Sequence, residues 1–174
     1  MREEIPGFSP TWQCDLDALI AQARLDELLG RRVEAIWTLW SDDAWVDRAP
    51  VVIAFEDVQL EVCAKGMHSF SVSRDGLDLA LPILTGAGAL RWQIDRHHEF
   101  RPAHGRMVTA VGAIEYQLPP RSQSRMQRES VVSGVNFRFG DLHLEIFNGL
   151  DCNKMSNSLD RDHPVRYVLL GSGS

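Results

Sequence analysis

The 174-residue sequence has no apolar run approaching the length of a membrane-spanning helix. Its first residues, "MREEIPGFSP", are acidic where a secretory leader is basic and then apolar. Cysteine is scarce: Cys14, Cys63 and Cys152 are odd in number, far apart and lack any CxxC pairing. That excludes a disulfide framework or a zinc ribbon and predicts free thiols in a reducing cytoplasm. A general basic excess is also missing. Net charge is −6, so the counterion release that drives nucleic-acid binding has no source, and neither nucleic acid nor a membrane is expected as partner. "TGAGAL" (85–90) lacks the Lys-Ser/Thr of a phosphate-binding loop, so no nucleotide cofactor is implied.

What is present is ordinary globular composition, 44% hydrophobic and 24% charged, enough to bury a core without cross-links. The charge is uneven. Residues 1–80 carry 15 Asp/Glu against 7 Lys/Arg, whereas residues 81–140 carry 4 against 8. One domain over residues 1–170 is expected, and the terminal Gly-Ser-Gly-Ser (171–174) is linker-like and set aside from fold reasoning.

Two apolar phrases repeat. In "VVIAFEDVQLEV", a two-residue turn at Glu56-Asp57 sets Ile53 opposite Leu60 and places Val51, Ile53, Phe55, Val58, Leu60 and Val62 on one face. In "VNFRFGDLHLEI", a turn at Gly140-Asp141 does the same for Val135, Phe137, Phe139, Leu142, Leu144 and Ile146. The opposite faces, with Val52, Ala54, Gln59 and Glu61 or Asn136, Arg138, His143 and Glu145, read as solvated. Upstream of each hairpin stands GRxVxA followed by Ile or Val, at Gly30–Ile36 and Gly105–Val111. The expectation is a mainly β protein, an α+β variant. Two similar antiparallel units, about 29–82 and 104–170, pack face to face as a sandwich or open barrel. An N-terminal helix runs from Asp15 to Gly30 with a stripe of Leu16, Leu19, Ile20, Ala23, Leu28 and Leu29. "MHSFSVS" and "LDLAL" read as strands, "PILTGAGAL" as a connector, and "LDCNKMSNSLDRDHP" as a loop before the last strand "VRYVLL".

Chemistry-bearing motifs are weak. His97, His98, Glu99 and His104 match no metal-ligand spacing, so no metal is expected. Cys152 lies near no signature that would mark a nucleophile. The loops preceding the hairpins differ in charge. "WSDDAWVDRAP" holds Asp42, Asp43 and Asp47 around Trp45, and "LPPRSQSRMQRES" holds Arg121, Arg125 and Arg128. Such loops suit protein recognition, with Trp45 as anchor. The reading is a non-catalytic cytosolic binding protein for another, basic protein, with the general character of small bacterial immunity proteins that occlude toxin domains. Self-association through the opposite charges is a variant. The alternative is a small-ligand-binding protein or enzyme with a pocket between the units lined by His143, Asp151, Cys152 and Asn153. A third option, a purely structural subunit of a larger assembly, would be supported by Trp12, Trp45 and Trp92 on the surface.

Overall fold

The computed structural model describes residues 5–66, 68–85, 88–117, 130–157 and 165–172. It is mainly β, with two antiparallel sheets and one helix near the N-terminus. The chain runs α1 (Leu16–Ala23), a 3-10 turn η1 (Leu25–Leu28), β1 (Val33–Ser41), β2 (Ala44–Trp45), β3 (Val51–Phe55), β4 (Gln59–Lys65) and β5 (Ser69–Arg74). It continues through β6 (Ile83–Thr85), β7 (Gly88–Ile94), a second 3-10 turn η2 (His98–Ala103), β8 (Ala110–Gln117), β9 (Ser130–Phe139), β10 (Leu142–Asn148), β11 (Asn153–Ser156) and β12 (Val165–Ser172). Sheet 1 has the order β5-β4-β3-β1-β7-β6, with β2 attached to β1; sheet 2 has the order β11-β10-β9-β8-β12.

Both hairpins hold the register that their alternation dictates. Val51 pairs with Val62 and Ile53 with Leu60; Val135 pairs with Ile146 and Phe137 with Leu144. Their apolar faces meet in one core with Val33, Ile36, Val111 and Phe100, closed at one end by Leu19, Ala23 and Leu25. Gly140 takes a positive φ of 71°, as the first central residue of its turn requires.

The correspondence between the sheets extends beyond the hairpins. Ile36 pairs with Ile53 as Val111 pairs with Phe137, and Glu61 faces Ser73 as Glu145 faces Ser156. In each sheet the last strand in chain order, β7 or β12, returns to the free side of the first. The two GRxV segments bond to each other reciprocally. Gly30 N–H donates to Val108 O (2.9 Å) and Gly105 N–H to Val33 O (2.7 Å), while Val108 N–H donates to Arg31 O and Val33 N–H to Arg106 O. Arg31 then reaches Asp57 in one hairpin turn, and Arg106 reaches Asp141 in the other (2.7 Å). The short motif therefore has a physical task. Its glycine turns the chain at φ 78° or 76°, its arginine ties down the hairpin tip, and its valine enters the core.

Several expectations need correcting. The helix stops at Ala23, because Arg24 adopts the left-handed conformation (φ 47°) and Arg74 caps the helix end through Ala23 O and Arg24 O. Leu25 and Leu28 keep the apolar spacing but belong to η1. "LDLAL" is not a strand. "PILTGAGAL" is not a mere connector, since it supplies β6 and the start of β7, and "LDCNKMS" contains β11. Gly171 and Ser172, set aside as linker, lie in β12, with Gly171 against Leu29.

The largest correction concerns the outward face of the first hairpin, which is buried. Val52 belongs to a second apolar cluster with Leu39, Ala49, Leu77, Ile83, Leu90 and Trp92, packed by Ile5 and Phe8 of the N-terminal segment. Glu61 is 0% exposed beneath the same cover. Its Oε1 accepts from the backbone N–H of Gly76 and Leu77 (2.7 Å each) and its Oε2 from Ser73 Oγ (2.8 Å). The N-terminal segment approaches so closely that a Cβ on Gly7 would sit 2.2 Å from Gly76 O. Glu145, at 2% exposure, is buried as well, with Tyr167 Oη donating to its Oε2 at 3.5 Å.

Candidate functional site

Sheet 1 is wider than sheet 2 because β2 and β6 add strands that sheet 2 lacks. At that extension, Ser41 pairs with Ala44 around a two-residue turn, Asp42-Asp43, with Asp42 at φ 50°. The segment expected as a loop is thus a tight hairpin, and the turn sets Trp40 directly opposite Trp45. Trp40 Nε1 donates to Thr38 Oγ1 (2.8 Å), and Val46 N–H donates to Leu39 O (2.9 Å), fixing both arms.

After β7 the chain turns sharply at Asp95 (φ 46°), whose N–H and carboxylate both bond Ile36. This folds Arg96 and His97 back over β1. The Arg96 guanidinium lies over the Trp40 ring at 4.0 Å, a cation–π contact, while its nitrogens donate to Asp42 O, Gln93 Oε1 and Asp43 Oδ1 (2.6 Å). The His97 ring meets Trp45 edge-on at 4.7 Å and Trp40 at 5.5 Å. The result is an aromatic stack edged by a fixed cation and two acids. Asp43 is 99% exposed, so its ion pair with Arg96 orders the tip but adds little stability.

His97 has a lowered pKa. Burial is the largest cause; Glu99 opposes it, and Arg96 and His98 reinforce it. A folded-state value below the ordinary 6.5 means that neutral His97 contributes stability above that pH, lost as pH falls through the folded value. Acidification from pH 7.5 to 5 is therefore expected to lower the melting temperature more in the native protein than in His97→Phe. Equal losses would show that the His97 environment does not matter.

The remaining sequence-selected residues fall elsewhere. Asp47 lies just beyond the tip, where its carbonyl accepts the Asn153 N–H (2.7 Å). Asn153 is fully buried; its Oδ1 accepts from Ala64 N–H (2.8 Å) and its Nδ2 donates to Ala49 O (2.6 Å), stapling β11 to sheet 1. Asp151 accepts from Gly66 N–H (2.6 Å) and lies 3.7 Å from Arg48. Cys152 donates to Gly149 O (3.2 Å), and its pKa is raised by burial first and by Asp47 next, against thiolate formation. His143 sits at the other end of β10, opposite Arg138. The four residues of the alternative pocket thus do not converge. Arg121, Arg125 and Arg128 lie outside the described residues. His104 pairs with Asp95 (3.1 Å), and no group of metal-capable side chains converges among the described residues. Trp92 is buried in the second apolar cluster and so lends the assembly-subunit option no support.

Sequence reasoning found Trp45, Asp42 and Asp43 but missed Trp40, Arg96 and His97. One signal was available: "WSDDAW" places two tryptophans symmetrically about a two-residue turn, the spacing of a cross-strand pair. No family model, curated protein or solved structure matches the chain.

Proposed function

We propose that this chain is a non-catalytic protein-recognition module whose contact surface is the β1–β2 tip and the Trp40–Trp45–Arg96–His97 stack behind it. The observation that carries this reading is the composition of the cluster: tryptophan and arginine are the side chains that dominate binding energy at protein interfaces, and here Trp40 and Arg96 are held by hydrogen bonds and Trp45 by its edge-on contact with His97. In this reading the shared registers of the two sheets reflect an internal duplication that supplies the scaffold. The unrepeated parts, β2 and the tip, carry the function. Asp42 and Asp43, with a net charge of −6, favour a basic partner and speed its approach. An immunity-type inhibitor that occludes a toxin or effector domain is the form of this reading that such a partner suits.

The test is affinity purification from the native host, followed by titration of any stoichiometric partner. Replacing Asp42, Asp43 and Asp47 with Ser should weaken the complex at least tenfold, about 1.4 kcal/mol. The melting temperature should change little, because the Asp47 bond to Asn153 uses its main chain and its carboxylate gives up only a bond to the Cys152 thiol. A large loss of stability with binding intact would contradict the proposal, as would recovery of a small molecule and no protein.

A further inference from the structure

The four ends of the two sheets are not treated alike. β5 is closed by Gln13, which exchanges two backbone hydrogen bonds with Phe70 (2.8 Å each). β11 gives its Asn153 N–H to Asp47, and β12 lies against η1 with Leu29 over Gly171. β6 has no strand beyond it among the described residues. Edges left open are normally guarded by charge, yet from Leu79 to Leu90 there is no charged residue. Leu84, in the middle of β6, is 81% exposed. On the other face, where Ile83 points into the second apolar cluster, lies a groove of about 140 Å³ lined by Pro6, Gly76, Asp78, Leu81, Ile83 and Trp92. An added strand presents side chains alternately to the two faces. One set would cover Leu84 and the other would enter the groove, so main-chain bonding and side-chain selection are both provided.

We propose that β6 accepts an extended, basic segment of a partner protein as an added strand of sheet 1. Charge decides among possible occupants. Asp78 edges the groove and the chain is net negative, which favours a cationic segment and opposes pairing with a second copy. This inference rests on the protein-recognition reading but uses a different surface, so the two can fail separately.

The probe is a blocked seven-residue peptide of alternating lysine and valine, titrated into the isotopically labelled full chain and followed by backbone amide shifts. Shifts are expected at residues 81, 83–85 and 88–92, and they should vanish for a peptide N-methylated at every second residue, which cannot complete the ladder. Leu84→Lys should weaken binding at least tenfold while leaving the rest of the spectrum unchanged, and Asp42→Ser with Asp43→Ser should bind the peptide as the native chain does. No binding at millimolar peptide, equal binding of the N-methylated form, or shifts confined to residues 40–47 would each overturn the added strand. The last result would leave the tip as the recognition surface. A peptide bound at β6 together with a native partner indifferent to the tip variants would uphold the strand and sink the tip.

Discussion

Glu61→Ala is expected to lower the free energy of unfolding by about 3–4 kcal/mol, the combined cost of charge-assisted bonds lost and a buried donor left unmatched. For a chain of this length the shift is roughly 6–16 °C in melting temperature. The carboxylate lies under the N-terminal cover with no exposed surface, and it gathers the N–H groups of Gly76 and Leu77 and the hydroxyl of Ser73, with Gln59 at 3.2 Å. No arginine or lysine is among these hydrogen-bond partners, so the charge is held by dipoles. Alanine would strand the buried Leu77 N–H and take away the acceptor of the Gly76 N–H. Glu61→Gln keeps one acceptor for those donors and can turn its amide toward Ser73 Oγ, so it should cost only about 1–2 kcal/mol. Equilibrium denaturation of both variants decides. If alanine and glutamine cost the same small amount, the outward face is not closed.

The second large effect is expected at Asn153. Its amide joins Ala64 N–H in β4 to Ala49 O just before β3, from a strand of the other sheet. Asn153→Ala leaves a buried donor and a buried acceptor unpaired, a cost of about 3 kcal/mol. The adjacent Cys152→Ala should cost far less, since it removes only weak thiol bonds, to Gly149 O and to the Asp47 side chain. Thermal melts of the two variants separate a cross-sheet staple from a catalytic pocket. A silent Asn153→Ala would remove the staple.

The hairpins were legible because each has one unambiguous apolar face, and sliding either by one residue would expose Phe55 or Phe137. The second covered face was not legible. Alternation reports which residues share a face, but not whether a distant segment lies over it. Val52 was the clue, a large apolar residue on the face that also carries Gln59 and Glu61, and its partners Phe8 and Leu77 come from the N-terminal segment and the stretch after β5. The helix was overextended for a related reason: Leu25 and Leu28 fit its spacing, while the left-handed Arg24 and its neighbours' capping by Arg74 are tertiary facts. At the tip, Trp45 and the acids stood out by composition. Arg96 and His97 join them only through the turn at Asp95, which brings residues far apart in sequence together. His97, grouped by sequence with His98 and His104, spends its ring on two tryptophans.

The most direct measurement is a map of which backbone amides of the labelled chain change when its co-purified partner is added. Perturbations are expected to concentrate at residues 40–47 and 93–97. A footprint on Asn136, His143 and Glu145 of sheet 2, with the tryptophan pair untouched, would place recognition on the wrong sheet and contradict the account.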